Sequence, residues 1–91
     1  MTNSKHYYAY LARCADDSLY AGYTDDIAKR EKAHNDGLGA KYTKSRRPVK
    51  IVYFEEFDNK TDAMSREWHL KRLTRVEKLA LVKEFDMSED V

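Results

Sequence analysis

Apolar and polar positions alternate along the first quarter of the chain. His6, Tyr8, Tyr10 and Ala12 fall on one face of an extended segment, and Tyr7, Ala9, Leu11 and Arg13 fall on the other. That period of two marks a β-strand. A second such run places Ser18, Tyr20 and Gly22 on a common face. Between the two lies Ala15-Asp16-Asp17-Ser18, a tight connection, because Asp and Ser bond their own backbone in turns. If the strands pair as a hairpin, Tyr10 and Tyr20 can come close on one face of a small sheet.

The period then lengthens. Ile27, Arg30 and His34 stand at i, i+3 and i+7, so they share one face of a helix. Thr24 or Asp25 can cap it, and Asn35-Asp36-Gly37 stops it. Ile27 turns that face inward, so Arg30 emerges beside the core and over the face that carries the tyrosines. The plainer alternatives are an i, i+4 pair of Arg30 with Asp26 and a half-buried spacer role for His34. Residues 36–48 hold two glycines and end on Pro48, which reads as a loop.

Val49 to Phe54 alternates poorly but is rich in β-formers. It reads as a third strand, central and covered on both faces. Asp58 to Thr61 opens a second helix that runs through Leu70 to Arg72. Its inward stripe takes Ala63, Met64, Glu67 (or Trp68), Leu70 and Lys71, with Met64 and Trp68 in the core. His69 falls on the outer side. Thr74-Arg75-Val76-Glu77 is a capping box, and it opens a third helix. There Val76, Leu79, Ala80 and Leu81 or Val82 supply the apolar side. That helix is expected to end near Phe85 and to leave Asp86 to Val91 as a frayed acidic tail. The order β-β-α-β-α-α predicts an α+β fold: a three-stranded, mostly antiparallel sheet flanked by three helices.

Composition narrows the class. Ninety-one residues with 42% apolar and 36% charged side chains suit one globular domain, 1–91, with its core over about 6–85. A single cysteine, Cys14, cannot form an internal disulfide, so nothing points to secretion. Placed in the first strand, it reads as a small buried hydrophobe. No apolar run approaches a signal peptide or a membrane span, and a cytoplasmic setting follows.

Charge changes the picture more by its distribution than by its sum of +1. Residues 1–26, 27–50 and 51–91 carry net charges of −2, +6 and −3. Positive charge is thus focused on the first helix and the loop after it, as on an anion-binding surface; a merely solvated face is the alternative. In that loop Lys41, Lys44, Arg46 and Arg47 flank Tyr42, a mixture that suits phosphates and unstacked bases. Glu67 is the other oddity. A carboxylate along an apolar stripe needs a cation, a metal or hydrogen-bond donors, and Lys71 one turn on could serve as that cation.

Tyr8-Ala9-Tyr10 and Tyr20-Ala21-Gly22, followed by Arg30 ten residues after Tyr20, then His34 and a helical Glu67, resemble the motifs of the GIY-YIG nuclease domain. The likeness is close to small uncharacterised bacterial members that consist of little else. It spans roughly Tyr7 to Val82. The outer Gly and both Ile of the family tripeptides are replaced here, while both motif tyrosines and the second Gly remain. The resemblance implies the same α+β layout and a metal-dependent endonuclease acting on DNA, in repair or recombination. It further implies that Tyr10 and Tyr20 act on water or phosphate and that Arg30 grips the phosphate. Glu67 would hold one Mg²⁺ or Mn²⁺, and Tyr42 would lie at the active site. His34 can act as a base or as a hydrogen-bond partner to Tyr20.

Phosphodiester hydrolysis needs an oriented water, positive charge where negative charge builds, and stabilisation of the leaving oxygen. Arg30 offers a planar fork for two phosphate oxygens, and a tyrosine beside a cation can orient or deprotonate water despite an ordinary pKa of about 10. A single carboxylate is a thin site for an oxygen-loving ion that keeps most of its waters. The second reading is a nucleic-acid-binding module with this fold and little catalysis, favoured by the altered first tripeptide.

Overall fold

The structure, a computed structural model, describes residues 5–89. Three strands, β1 (Tyr7–Arg13), β2 (Leu19–Thr24) and β3 (Lys50–Phe57), form one antiparallel sheet in the order β2-β1-β3. Among the described residues four helices cover it: α1 (Ile27–Asn35), the single turn α2 (Lys41–Lys44), α3 (Lys60–Arg72) and α4 (Arg75–Glu89). The α+β fold and element order follow the sequence reading, with α2 added inside the basic loop.

The hairpin closes as its residues dictate. Cys14 N–H donates to the Ser18 carbonyl at 2.9 Å, and Ser18 N–H donates to the Asp16 carboxylate at 3.1 Å. Asp17 takes φ 68°, a left-handed conformation that Asp tolerates better than most residues. Register then pairs Tyr10 with Gly22 and Ala12 with Tyr20, so both motif tyrosines lie on one face. Cys14 stands just past the end of β1 and not within it, yet it is buried in the core as expected.

The middle of the sheet corrects one expectation. β1, not β3, is the central strand. Ala9, Tyr10, Leu11 and Ala12 are consecutive and fully buried, the signature of a strand covered on both faces. β3 takes an edge, which its charges permit. It also runs three residues further than expected, to Phe57. There Glu55 is held by the Tyr53 hydroxyl and by Arg66 of α3 at 2.7 Å. Opposite Leu11 and Ala12 the register slips by one residue, leaving Val52 as the extra member of a bulge.

One sheet face gathers Tyr10, Ala12, Cys14 and Val49, with Tyr20, Ile27, Ile51 and Phe54 around them. The other gathers Ala9, Leu11, Ala21 and Tyr53 against Leu70 of α3 and Val82 of α4. The helix-to-sheet contacts correct the inward stripes read for those two helices. In α3 the buried residues are Ala63 and Leu70, whereas Met64 and Trp68 are 43% and 52% exposed. The buried line of the helix runs through Ala63 and Leu70, and positions 64 and 68 stand to the side of it, turned outward. Trp68 instead lies under the Arg72 guanidinium, whose carbon is 3.4 Å from the ring centre, and His69 is exposed against its edge.

In α4 the inward residues are Leu81, Val82 and Phe85, while Val76 is 76% exposed and Leu79 and Ala80 also face outward. The capping box holds: Glu77 N–H donates to the Thr74 hydroxyl, and Thr74 N–H to the Glu77 carboxylate. α4 runs on to Glu89, past the expected end at Phe85. Residues 90 and 91 of the expected tail lie outside the described residues. Arg75 at its start donates to the Asp17 carbonyl at 2.8 Å, tying α4 to the hairpin turn.

Candidate active site

The site is assembled by α1 lying across the tyrosine face of the hairpin. Its N-cap is Asp26, whose carboxylate accepts from Lys29 N–H at 3.0 Å, and not Thr24 or Asp25 as the sequence suggests. Thr24 caps Asp26 in turn, its hydroxyl accepting from the Asp26 N–H. The far end of α1 is docked by Asn35, whose side-chain amide donates to the Val49 carbonyl at 2.8 Å and accepts from the Val49 N–H at 2.7 Å. With both ends fixed, Arg30 and His34 project onto the sheet one turn apart.

They meet at Tyr10. Its hydroxyl stands 2.7 Å from His34 Nε2, and it accepts from Arg30 Nε at 3.2 Å. The alternative pairing of Arg30 with Asp26 does not form, since Asp26 is occupied as the cap. Tyr10 and His34 are both fully buried, so His34 is a full member of the cluster and not a half-buried spacer. His34 Nδ1 lies 2.8 Å from the Thr43 hydroxyl, which itself donates to the Ala40 carbonyl at 3.0 Å.

One hydroxyl has one proton, and that fixes the direction of the whole chain. Thr43 spends its proton on Ala40, so it must accept from His34 Nδ1–H. His34 is therefore the Nδ1–H tautomer, and its Nε2 accepts from Tyr10. Electrostatics agree with a neutral ring: burial lowers the His34 pKa, and the Arg30 charge lowers it further. Burial likewise raises the pKa of Tyr10, against the opposing hydrogen bond and charge of Arg30. The charge of Glu67 pushes in the same direction as burial.

Tyr20 plays a different part. Its ring packs edge-on to His34 at 5.6 Å and stacks on Tyr42 at 5.9 Å, 21° from parallel. Its hydroxyl makes no protein hydrogen bond among the described residues, yet it lies within the electrostatic reach of Arg30. Glu67 stands on α3 with a side chain only 19% exposed. It pairs with Lys71 at 3.6 Å, and its charge is felt at Tyr10.

The basic loop divides in two. Arg46 pairs with Asp16 at 3.0 Å, donates to the Tyr42 carbonyl and lies 3.9 Å over the Tyr42 ring. Arg47 donates to the carbonyls of Lys44 and Asn35. These two arginines brace the loop. Lys41 and Lys44 are exposed and make no ion pair among the described residues.

Two structural partners, Thr43 and Gly39, escape the sequence reading, and Gly22 gains a structural reason. Thr43 orients His34. A Cβ on Gly39 would collide with His34 Nδ1, and one on Gly22 would stand 2.5 Å from the Tyr10 hydroxyl oxygen. Gly22 therefore leaves room for the Tyr10 ring to reach across β2. No local pattern marks Thr43 or Gly39, since their meaning lies in a contact with a helix that precedes them. Thr43→Val should strand His34 Nδ1–H in a buried site, at a cost of about 1–3 kcal/mol. Thermal unfolding of the variant beside Thr43→Ser, which restores the hydroxyl, checks this.

A model of the GIY-YIG catalytic domain matches residues 6–80. The UPF0213 protein of Clostridium perfringens is 53% identical over 91% of this chain and 89% of its own length. YazA, the UPF0213 protein of Bacillus subtilis, is 49% identical over 92% and 84%. The solution NMR structure of the UPF0213 protein BH0048 from Bacillus halodurans superposes with a TM-score of 0.54 at 42% identity, covering 86% of this chain and 83% of that one. The protein EF2693 from E. faecalis gives 0.58 at 38% identity, with 96% and 93% covered. With the motif residues gathered around one buried hydroxyl and the family model spanning all but the chain ends, this chain belongs to the nuclease-type GIY-YIG family, alongside the small bacterial UPF0213 proteins.

Proposed function

We propose that the chain is a single-domain endonuclease, residues 1–91, that hydrolyses phosphodiester bonds of DNA in the cytoplasm, with service in repair or recombination. The observation that carries this reading is the buried Tyr10 hydroxyl held between Arg30 and His34. A network of that kind costs burial energy, and a surface helix needs no such device to pack. Within the reading, Tyr10 has both hydrogen-bonding capacities occupied, so it positions Arg30 and His34. Tyr20, with its hydroxyl unengaged, orients the attacking water or takes its proton. Arg30 holds the phosphate oxygens through the N–H groups that Tyr10 leaves free, and Tyr42 offers a face for a base beside the cut.

A divalent cation fits one carboxylate. Among the described residues no group of three or more His, Cys, Asp or Glu side chains is placed to hold a metal ion. Glu67 supplies one half-buried oxygen donor, as Mg²⁺ or Mn²⁺ accepts when substrate and water complete its shell. When bound, such an ion would stabilise charge on the phosphate and the departing oxygen. The test is incubation of purified protein with nicked, branched and linear DNA, with Mg²⁺, with Mn²⁺ or with chelator. Metal-dependent cutting of any form supports the reading, and intact DNA throughout overturns it. The Lys71–Glu67 pair favours a second reading, a DNA-binding module whose carboxylate is already neutralised.

Lys41 and Lys44 are the loop cations free to meet phosphates. Replacing both by Ala should reduce the slope of log affinity against log salt by about 0.9 for each duplex phosphate that the loop no longer meets. A fluorescence-anisotropy salt titration measures it. Arg46 and Arg47 belong to the same basic group, but their substitution should also loosen the loop, through their bonds to Asp16, Lys44 and Asn35.

A further inference from the structure

Arg30 also lines a cleft of about 390 Å³ that Tyr10 does not line. Lys5, Arg30 and Lys60 line it, with the rings of Tyr7 and Tyr23 between them. Thr24 and Asp25 close one end. Three cations face a single carboxylate there. Each lysine stands beside a ring: Lys5 Nζ sits 5.9 Å from the Tyr7 ring centre, and Lys60 Nζ sits 5.9 Å from that of Tyr23. Rings that hold an ammonium in place reduce the side-chain entropy lost when it meets an anion. Lys5 also reaches Asp25 at 3.4 Å, so the carboxylate both steers it and competes for it.

Arg30 joins this cleft to the candidate active site. Its Nε is committed to Tyr10, and a guanidinium carries four more N–H donors in a flat fork. None of those four has a protein acceptor among the described residues. A fork fixed at one nitrogen and open at the rest can bridge two neighbouring anions. We propose that the cleft is a second phosphate subsite, which binds the phosphodiester next to the scissile one on the strand being cut, with Lys5 and Lys60 as its ligands and Arg30 shared between the two phosphates. This rests on the nuclease reading for its choice of ligand. It sets the path of the strand, which runs from the Tyr20 side over Arg30 toward Lys60.

Binding, not cutting, tests it, so that its failure and the failure of the nuclease reading are told apart. Single-stranded hexathymidylate is titrated into ¹⁵N-labelled protein in the absence of divalent metal, with inorganic phosphate as a parallel arm. Saturable shifts are expected at the amides of Tyr7, Tyr23, Thr24 and Lys60, at far lower concentrations for the oligonucleotide than for free phosphate. Lys5→Ala with Lys60→Ala should weaken hexathymidylate about tenfold at low salt and reduce the salt slope by about 0.7, the share of one single-strand phosphate. Asp25→Asn should tighten it. Lys78→Ala with Lys83→Ala on α4 removes the same charge elsewhere and should change affinity far less. The proposal is overturned if the shifts avoid the cleft or are absent, if both double variants weaken binding equally, or if the two arms saturate alike. Such shifts in a protein that cuts no DNA would uphold the cleft as a phosphate subsite of a bound strand and remove the nuclease assignment, and with it the scissile neighbour.

Discussion

Tyr20→Phe is expected to cut DNA at about one hundredth of the parent rate or less, while unfolding at nearly the same temperature. The two halves of that result come from different atoms. The ring does the packing: it lies against His34 and stacks on Tyr42, and phenylalanine keeps both neighbours. The hydroxyl has no protein hydrogen bond to lose among the described residues, so stability should move by about 1 kcal/mol or less. What disappears is the oxygen within electrostatic reach of Arg30, and removal of an acid–base or water-positioning group costs about 10²–10⁴-fold in rate. Tyr10→Phe makes a useful contrast. It leaves His34 Nε2 without its buried donor and frees Arg30 to move, so it should cost stability as well, with the milder loss of cutting. Single-turnover cleavage and thermal unfolding on the same preparations separate the two tyrosines. A Tyr20→Phe protein as active as the parent would take Tyr20 out of the mechanism.

The contrast also shows what the amino-acid order makes legible and what it does not. Alternation in 6–13 and 18–22, followed by the spacing of Ile27, Arg30 and His34, is enough to bring the two tyrosines, the arginine and the histidine to one face, because each relation is local or lies across one hairpin. The capping boundary moves by one or two residues, since Thr24, Asp25 and Asp26 all have cap chemistry and only the backbone decides among them. The strand order is hidden for a different reason. Val49–Phe54 is apolar enough to be central, but Ala9 and Ala12 are small, and their burial on both sides is visible only once helices lie on both faces. In α3 the line through Ala63 and Leu70 faces the sheet and leaves Met64 and Trp68 outside, a choice between neighbouring stripes that apolar spacing alone does not make. Thr43 is invisible for lack of any period: it matters through one hydroxyl, aimed at a ring nine positions earlier.

Glu67→Gln separates the two functional readings. Its carboxylate lies along the line of Ala63 and Leu70 on α3 and is largely shielded from water, so in the folded protein its charge must be balanced. Lys71 does so at 3.6 Å, across a half-exposed i, i+4 pair worth only a few tenths of a kcal/mol in such settings. A pair that weak yields readily to a divalent ion brought in with a phosphate. If Glu67 is the ion's protein ligand, glutamine preserves shape and removes the only charge offered to the metal, and Mg²⁺-dependent cutting should disappear. DNA affinity should persist, because its grip comes from Arg30, Lys41 and Lys44. The Glu67→Gln protein should then melt within a few degrees of the parent, since only the weak pairing with Lys71 is removed. If Glu67 serves Lys71 alone, the same variant keeps whatever cutting the parent has. Cleavage, binding and unfolding measured on one preparation decide the matter, and metal-dependent cutting by a folded Glu67→Gln protein would end the ligand assignment.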